Sequence, residues 1–233
     1  MKPMPIASFS EIRDRLRREA RQAYLDFRRS RPDETIYVFG LYTDDDALNA
    51  HSIGNTEEAY EKAISRNPGD GMFGRLSSVL SYRWSPAEWP GIYSEDFPAP
   101  DEEQDASERL QEGSSFAEAW RSISGKDHQE FRRNMFRAMV DALRLLDGES
   151  LFGTGRDREK VILIISLSDS EDEGFLEIES AKLLNSRRAT RRALRTIPLP
   201  FRWIILAGYY WRRLIRGRLI SNTLSTQIVN PGH

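Results

Sequence analysis

Seven carboxylates in two short clusters are the first residues of this sequence equipped for chemistry. Asp44, Asp45 and Asp46 follow one β-rich run; Asp169, Glu171, Asp172 and Glu173 follow another. Ligands of α/β proteins gather at the carboxyl ends of strands, and hard divalent cations take carboxylate oxygens. If the two strands are parallel neighbours, Asp44, Asp46, Asp169 and Asp172 are placed to converge on Mg²⁺ or Ca²⁺. Aspartate is equally the ordinary residue of turns and helix N-caps, and both clusters sit where such residues are wanted. No P-loop, dinucleotide fingerprint or histidine-rich metal motif accompanies them. Capping is therefore the leading reading, and no cofactor is expected.

A second group is Tyr82, Arg83, Trp84, Glu88 and Trp89. Two tryptophans around a capped turn can form an aromatic binding surface, with Arg83 as an anion clamp. The competing and favoured reading is that both tryptophans pack a short helix onto a sheet. His51 and His128 are far apart in the chain, and neither accompanies a nucleophile elbow. Gly153-Thr154-Gly155 precedes a strand instead of following one, so it reads as a turn. No catalytic residue is assigned, and the balance leans against an enzyme.

Charge carries more information. After Glu179 there is no acidic residue, while residues 180–233 hold Lys182 and ten arginines, a charge of +11. Residues 1–179 therefore carry −13, hidden in a net charge of −2. Such asymmetry suits two parts that meet different surroundings, or a tail folded onto an acidic body. In the tail, Arg202, Arg212, Arg213 and Arg216 fall on one side of a helix. Trp203, Ala207, Tyr210, Trp211 and Leu214 fall on the other. That pattern fits a helix lying in an anionic membrane surface, one docked in a protein groove, or one docked on its own body. Nucleic acid is the weaker fit. The acidic segment with Asp101, Glu102, Glu103 and Asp105 is a second candidate contact, for a basic protein partner.

The elements that must position these groups follow from caps and periodicity. Ser8-Phe9-Ser10-Glu11 opens a helix with Phe9, Ile12, Leu16, Ala20, Ala23 and Phe27 on one face. Residues 35–42 and 161–167 read as buried strands, 48–53 as a short one, and 77–84 as a further strand. Asn55-Thr56-Glu57-Glu58 is a capping signature that starts a helix to about Ser65, and Ser85-Pro86-Ala87-Glu88 caps a short one holding Trp89. A loop spans 91–113, a helix starts at Ser115, and a longer one after Lys126 buries Phe131, Met135, Ala138, Ala142, Leu143 and Leu146. Ser170 caps a helix towards Leu184. The fold class is thus mixed α/β, a small central sheet of about four strands covered by helices, plus a basic amphipathic C-terminal helix. Residues 1–196 form the acidic globular part and 197–233 the basic, aromatic extension.

The 233 residues suit one domain with an appendage, and there is no cysteine, which excludes disulfides and thiolate chemistry. With no signal-like or membrane-spanning run, a cytoplasmic protein is expected, peripheral at the membrane if the tail engages lipid.

Several phrases, in order, carry a resemblance. They are Tyr37-Val38-Phe39-Gly40-Leu41-Tyr42-Thr43-Asp44-Asp45-Asp46, Asn55-Thr56-Glu57-Glu58 and Tyr82-Arg83-Trp84-Ser85-Pro86-Ala87-Glu88-Trp89. Ser166-Leu167-Ser168-Asp169-Ser170 and Ser180-Ala181-Lys182-Leu183-Leu184-Asn185 follow. Over about residues 8–190 the chain resembles the bacterial domain-of-unknown-function family 4303. The resemblance implies an intracellular bacterial protein and, from members near toxin–immunity clusters, a non-enzymatic protein-binding role in immunity or defence. It implies nothing for the tail.

Overall fold

The computed structural model describes residues 8–89, 127–167 and 175–216. The loop at 91–113, the helix start at Ser115, the acidic residues Asp101, Glu102, Glu103 and Asp105, and the cluster Asp169–Glu173 lie outside the described residues.

Helix α1, Phe9–Ser30, begins where Ser8 Oγ accepts from the Glu11 N–H, satisfying one of the free amides of the first turn. Its buried stripe is Ile12, Leu16, Ala20, Tyr24 and Phe27, the spacing of one helical face. Strand β1, Ile36–Thr43, is buried almost throughout and forms the centre of the sheet. It pairs antiparallel with β2, His51–Thr56, and parallel with β3, Ile162–Leu167, giving the order β2-β1-β3. Helix α2, Glu57–Arg66, follows β2 directly. Thr56 ends the strand and its hydroxyl accepts from the Ala59 N–H as the cap.

Helix α3, Gly71–Trp84, leads to a single 3₁₀ turn at Pro86–Glu88. Helix α4, His128–Gly148, is capped by the Asp127 carboxylate on the Glu130 N–H. The short helix α5, Gly155–Arg158, precedes β3. Helices α6, Phe175–Leu184, α7, Arg187–Thr196, and α8, Leu199–Arg216, complete the fold. The class is mixed α/β, with eight α-helices and a three-stranded mixed sheet among the described residues.

The main core lies on one face of the sheet. There Phe39, Leu41, Leu163 and Ile165 meet α1 and α4, and the face expected for α4 (Phe131, Met135, Ala138, Ala142, Leu143 and Leu146) is fully packed. A smaller core on the other face joins Val38, Ile53, Ile162 and Ile164 to Trp89, Ala181 and Ala189. Alternation along each strand divides the two cores, as the two-residue period of a strand requires.

Two expectations change. Residues 77–84 form the second half of α3, not a strand, so among the described residues three strands stand where about four were expected. The preceding Gly69 and Gly71 adopt positive φ of 77° and 66°, and a side chain on Gly69 would strike the Gly74 carbonyl at 2.4 Å. That turn redirects the chain into a helix, and Leu76, Leu80 and Trp84 then recur at helical spacing. The aromatic and β-branched bias of the segment is a weaker influence than this context. Strand β2 is displaced to His51–Thr56 from the expected 48–53. The preceding turn is held by Asp44, which accepts from the Leu48 N–H at 2.9 Å, and by Thr43 Oγ1 donating to the Asn49 carbonyl at 2.5 Å.

Candidate functional site

The first candidate cluster is consumed by the fold. Asp44 Oδ1 receives the Leu48 amide and Oδ2 receives Asn49 Nδ2 at 2.8 Å. Asp45 pairs with Arg132 Nη2 at 2.7 Å, and Asp46 lies 3.2 Å from His128 Nε2. These contacts tie the β1 exit to the start of α4. The parallel pairing of β1 and β3 does bring their carboxyl ends side by side, as convergence on a cation requires. Asp169 and Asp172 lie outside the described residues, and no group of three metal-ligating side chains forms among the described ones.

The second cluster separates into distinct roles. Arg83 does not face outward as an anion clamp. Its Nη1 and Nη2 donate to the two Glu57 oxygens at 2.8 and 2.6 Å. Its guanidinium stacks 4.4 Å from the Tyr37 ring centroid and 4.8 Å from that of Tyr60. Tyr37 Oη donates to the Arg83 carbonyl at 2.8 Å and accepts from Asn55 Nδ2 at 3.0 Å. Burial alone would lower the Arg83 pKa. The hydrogen bond and charge of Glu57 outweigh it, so the net shift is upward and the cation is held. Burial raises the Tyr37 phenol, which stays neutral. This network clamps α3 to β1 and α2. Arg83→Met is expected to lower stability by about 2 kcal/mol, because it removes a two-pronged charged bond and a doubly stacked cation. Urea unfolding of the variant and the wild type checks it; an unchanged midpoint would reject the clamp.

Trp84 donates its indole N–H to Thr196 Oγ1 at 3.0 Å and sets its ring edge-on to Tyr37. Trp89 is buried in the smaller core, directly after the 3₁₀ turn; the short helix expected there is only that turn. Trp84 borders an apolar cavity of about 430 Å³, walled by Leu80, Ile162, Ile164, Ala181 and Ile205. Tyr82, Glu88 and Trp89 border a separate polar cleft of about 650 Å³ with Arg31, Lys62 and Arg66. The five aromatic-cluster residues therefore do not form one surface.

An arrangement not anticipated from sequence lies along the outer edge of β3. Asn185 Nδ2 donates to the Leu163 carbonyl at 2.8 Å, and Asn185 Oδ1 accepts the Leu163 N–H at 2.9 Å. Ser180 Oγ accepts the Ile165 N–H at 2.9 Å, and Glu177 Oε1 accepts the Leu167 N–H at 3.1 Å. Alternate residues of the edge strand are thus satisfied by side chains instead of a fourth strand, which closes an edge that would otherwise invite pairing. Glu177 and Ser180 on α6 and Asn185 just after its end were the available signal.

The C-terminal helix settles onto the body by one narrow face. Tyr209 is buried, with its ring 5.0 Å from Phe175 and Ile178 beside it; Ile205 and Leu206 pack against the same cluster. Lys182 Nζ sits 3.8 Å from the Tyr209 ring centroid, and Arg213 Nη1 donates to Tyr209 Oη at 3.1 Å. Burial, reinforced by Arg213, lowers the Lys182 pKa. Arg202 and Arg213 are half-buried on this side. Trp203, Ile204, Tyr210, Trp211 and Leu214 turn outward and are 59–79% exposed. The side chains of Arg212 and Arg216 lie outside the described residues. No helix among the described residues is long and apolar enough to cross a membrane.

The model of the domain-of-unknown-function family DUF4303 matches residues 16–186, well over half of the chain. The chain belongs to the DUF4303 family. The DUF4303 match runs from Leu16, within α1, through α6, including the Arg83–Glu57 clamp and the Asn185 edge bonds. It stops at Ser186, the residue whose hydroxyl caps α7, so α7 and α8 lie beyond it. No curated protein and no solved structure gives a significant match.

Proposed function

We propose that this DUF4303 protein is a binding module, not a catalyst, and that it meets its partner through the outward face of α8. One observation carries the reading. The helix buries Tyr209 against the body yet leaves two tryptophans, a tyrosine, an isoleucine and a leucine in solvent. Single exposed apolar residues are commonplace, but a contiguous aromatic-rich stripe marks an interaction surface. The chemistry-bearing clusters add support, since Asp44, Asp45 and Arg83 already serve the fold's own hydrogen bonds. The immunity or defence role implied by the resemblance is one setting for such a module.

In-cell photo-crosslinking tests the reading. A benzophenone amino acid is placed at Trp211, and as a control at Arg29, an exposed position on α1. The expected result is a discrete adduct, protein or lipid, from position 211 alone. No adduct from 211, or equal adducts from both sites, would overturn it.

A further inference from the structure

We infer that the partner of this face is an anionic membrane surface, with α7 supplying the charge and α8 the apolar contact; this rests on the binding reading above. Wound at ~100° per residue, Leu199, Trp203, Ala207, Tyr210, Trp211, Leu214 and Ile204 occupy a continuous arc of about 140°. At ~1.5 Å per residue the 18 residues of α8 extend about 27 Å, a bar suited to lying in an interface. Tryptophan and tyrosine are the residues that favour the headgroup level, where an amphipathic ring keeps its polar edge wet. Here two tryptophans and Tyr210 accompany Ile204 and Leu214 in the stripe.

The charge comes from α7, which joins α8 through Ile197 and Pro198. Its sequence RRATRRALRT buries Ala189 and Thr190 and leaves Arg187, Arg188, Arg191, Arg192 and Arg195 exposed. Arg188 and Arg192 reach the carboxylate and the carbonyl of Glu159. Arg187, Arg191 and Arg195 make no ion pair among the described residues. No acidic residue occurs from Ser180 to the end of the sequence, so nothing within this segment neutralises them. A negatively charged leaflet attracts clustered arginines, and an adjoining apolar stripe gives such attraction a place to insert. Nucleic acid would use the arginines but has no use for exposed Ile204 and Leu214. A protein groove would use the stripe but does not call for five exposed arginines on the adjoining helix.

Flotation of the full chain with vesicles tests the inference. Vesicles of phosphatidylglycerol and phosphatidylcholine are compared with pure phosphatidylcholine, at low and at physiological salt. The protein is expected to float with the anionic vesicles only, more strongly at low salt, with a blue-shifted tryptophan emission quenched by brominated lipid. Trp203→Ser with Trp211→Ser should lower partitioning about tenfold and abolish the quenching while the circular dichroism is unchanged. Arg187→Glu with Arg191→Glu and Arg195→Glu should lower anionic binding by at least about tenfold. No flotation of the wild type, or flotation equal in wild type and both variants, would overturn the inference. If flotation fails while position 211 still crosslinks to a protein or nucleic acid, the lipid partner falls and the binding module stands. If both fail, both fall.

Discussion

Gly40→Ala is expected to be the most damaging single-methyl change in the described fold, costing about 3 kcal/mol or more. Gly40 sits mid-way along β1, between β2 and β3, paired with Ile53 on one side and Ile164 on the other. A Cβ there would lie 2.1 Å from the Ile164 carbonyl oxygen and 3.0 Å from its carbonyl carbon. The obstacle is backbone of the neighbouring strand, not the end of a flexible side chain, so relief requires the two strands to move apart. Both faces of this strand are packed, which leaves no direction in which to move cheaply. Denaturant unfolding checks the size, and the control is Gly208→Ala. Gly208 is exposed in α8 with nothing within 4 Å of its added methyl, and alanine there should stabilise the helix slightly. Equal effects from the two substitutions would contradict the argument.

Asn185→Ala is expected to cost about 2–3 kcal/mol, because it leaves both the N–H and the carbonyl of buried Leu163 without their partner. The same carboxamide also bonds the Ala181 carbonyl at 2.9 Å, so the end of α6 loosens with it. The loss should be local before it is global. Hydrogen exchange at the Leu163 amide is expected to accelerate well beyond that of Phe39, its neighbour across the β1–β3 ladder. Uniform acceleration through the whole sheet would mean that Asn185 supports the fold generally and does not close its edge.

The parts of the fold that were readable from sequence are those decided by neighbours in the chain. Ser8 caps α1 as the local pattern required, α2 starts within the capping phrase Asn55–Glu58 with Thr56 as its cap, and the buried stripe of α4 matches its helical spacing. Strands β1 and β3 were legible because both are short, almost wholly apolar runs between polar turns. Helix α3 was misread because its composition favours a strand, while the glycine turn before it and the packing of Trp84 favour a helix. The sites were less legible, for a different reason. Arg83 carries no sign in its own segment that Glu57, distant in the chain, accepts from both of its terminal nitrogens. The bonds of Asn185 join α6 to a strand edge, and no periodicity reports such a pairing. For α8, the spacing set an arginine side against an aromatic side; of the described side chains, Arg202 and Arg213 are half-buried and Trp203, Tyr210, Trp211 and Leu214 are exposed. Which side faces the body depends on Phe175 and Ile178, far upstream, and only the folded chain decides it.

The parallel ladder between β1 and β3 also bears on how the chain is made. Val38 faces Ile162, so the central strand waits for a neighbour that lies more than half the chain away. A ribosome releases α1, β1 and β2 long before β3 exists, and until then one flank of β1 has no partner. Pairings of such long separation close slowly, since the loop entropy must be met before any contact repays it. The nascent amino-terminal half is therefore the stage at which this protein is most exposed to misassociation, and the stage at which a chaperone would find most to hold.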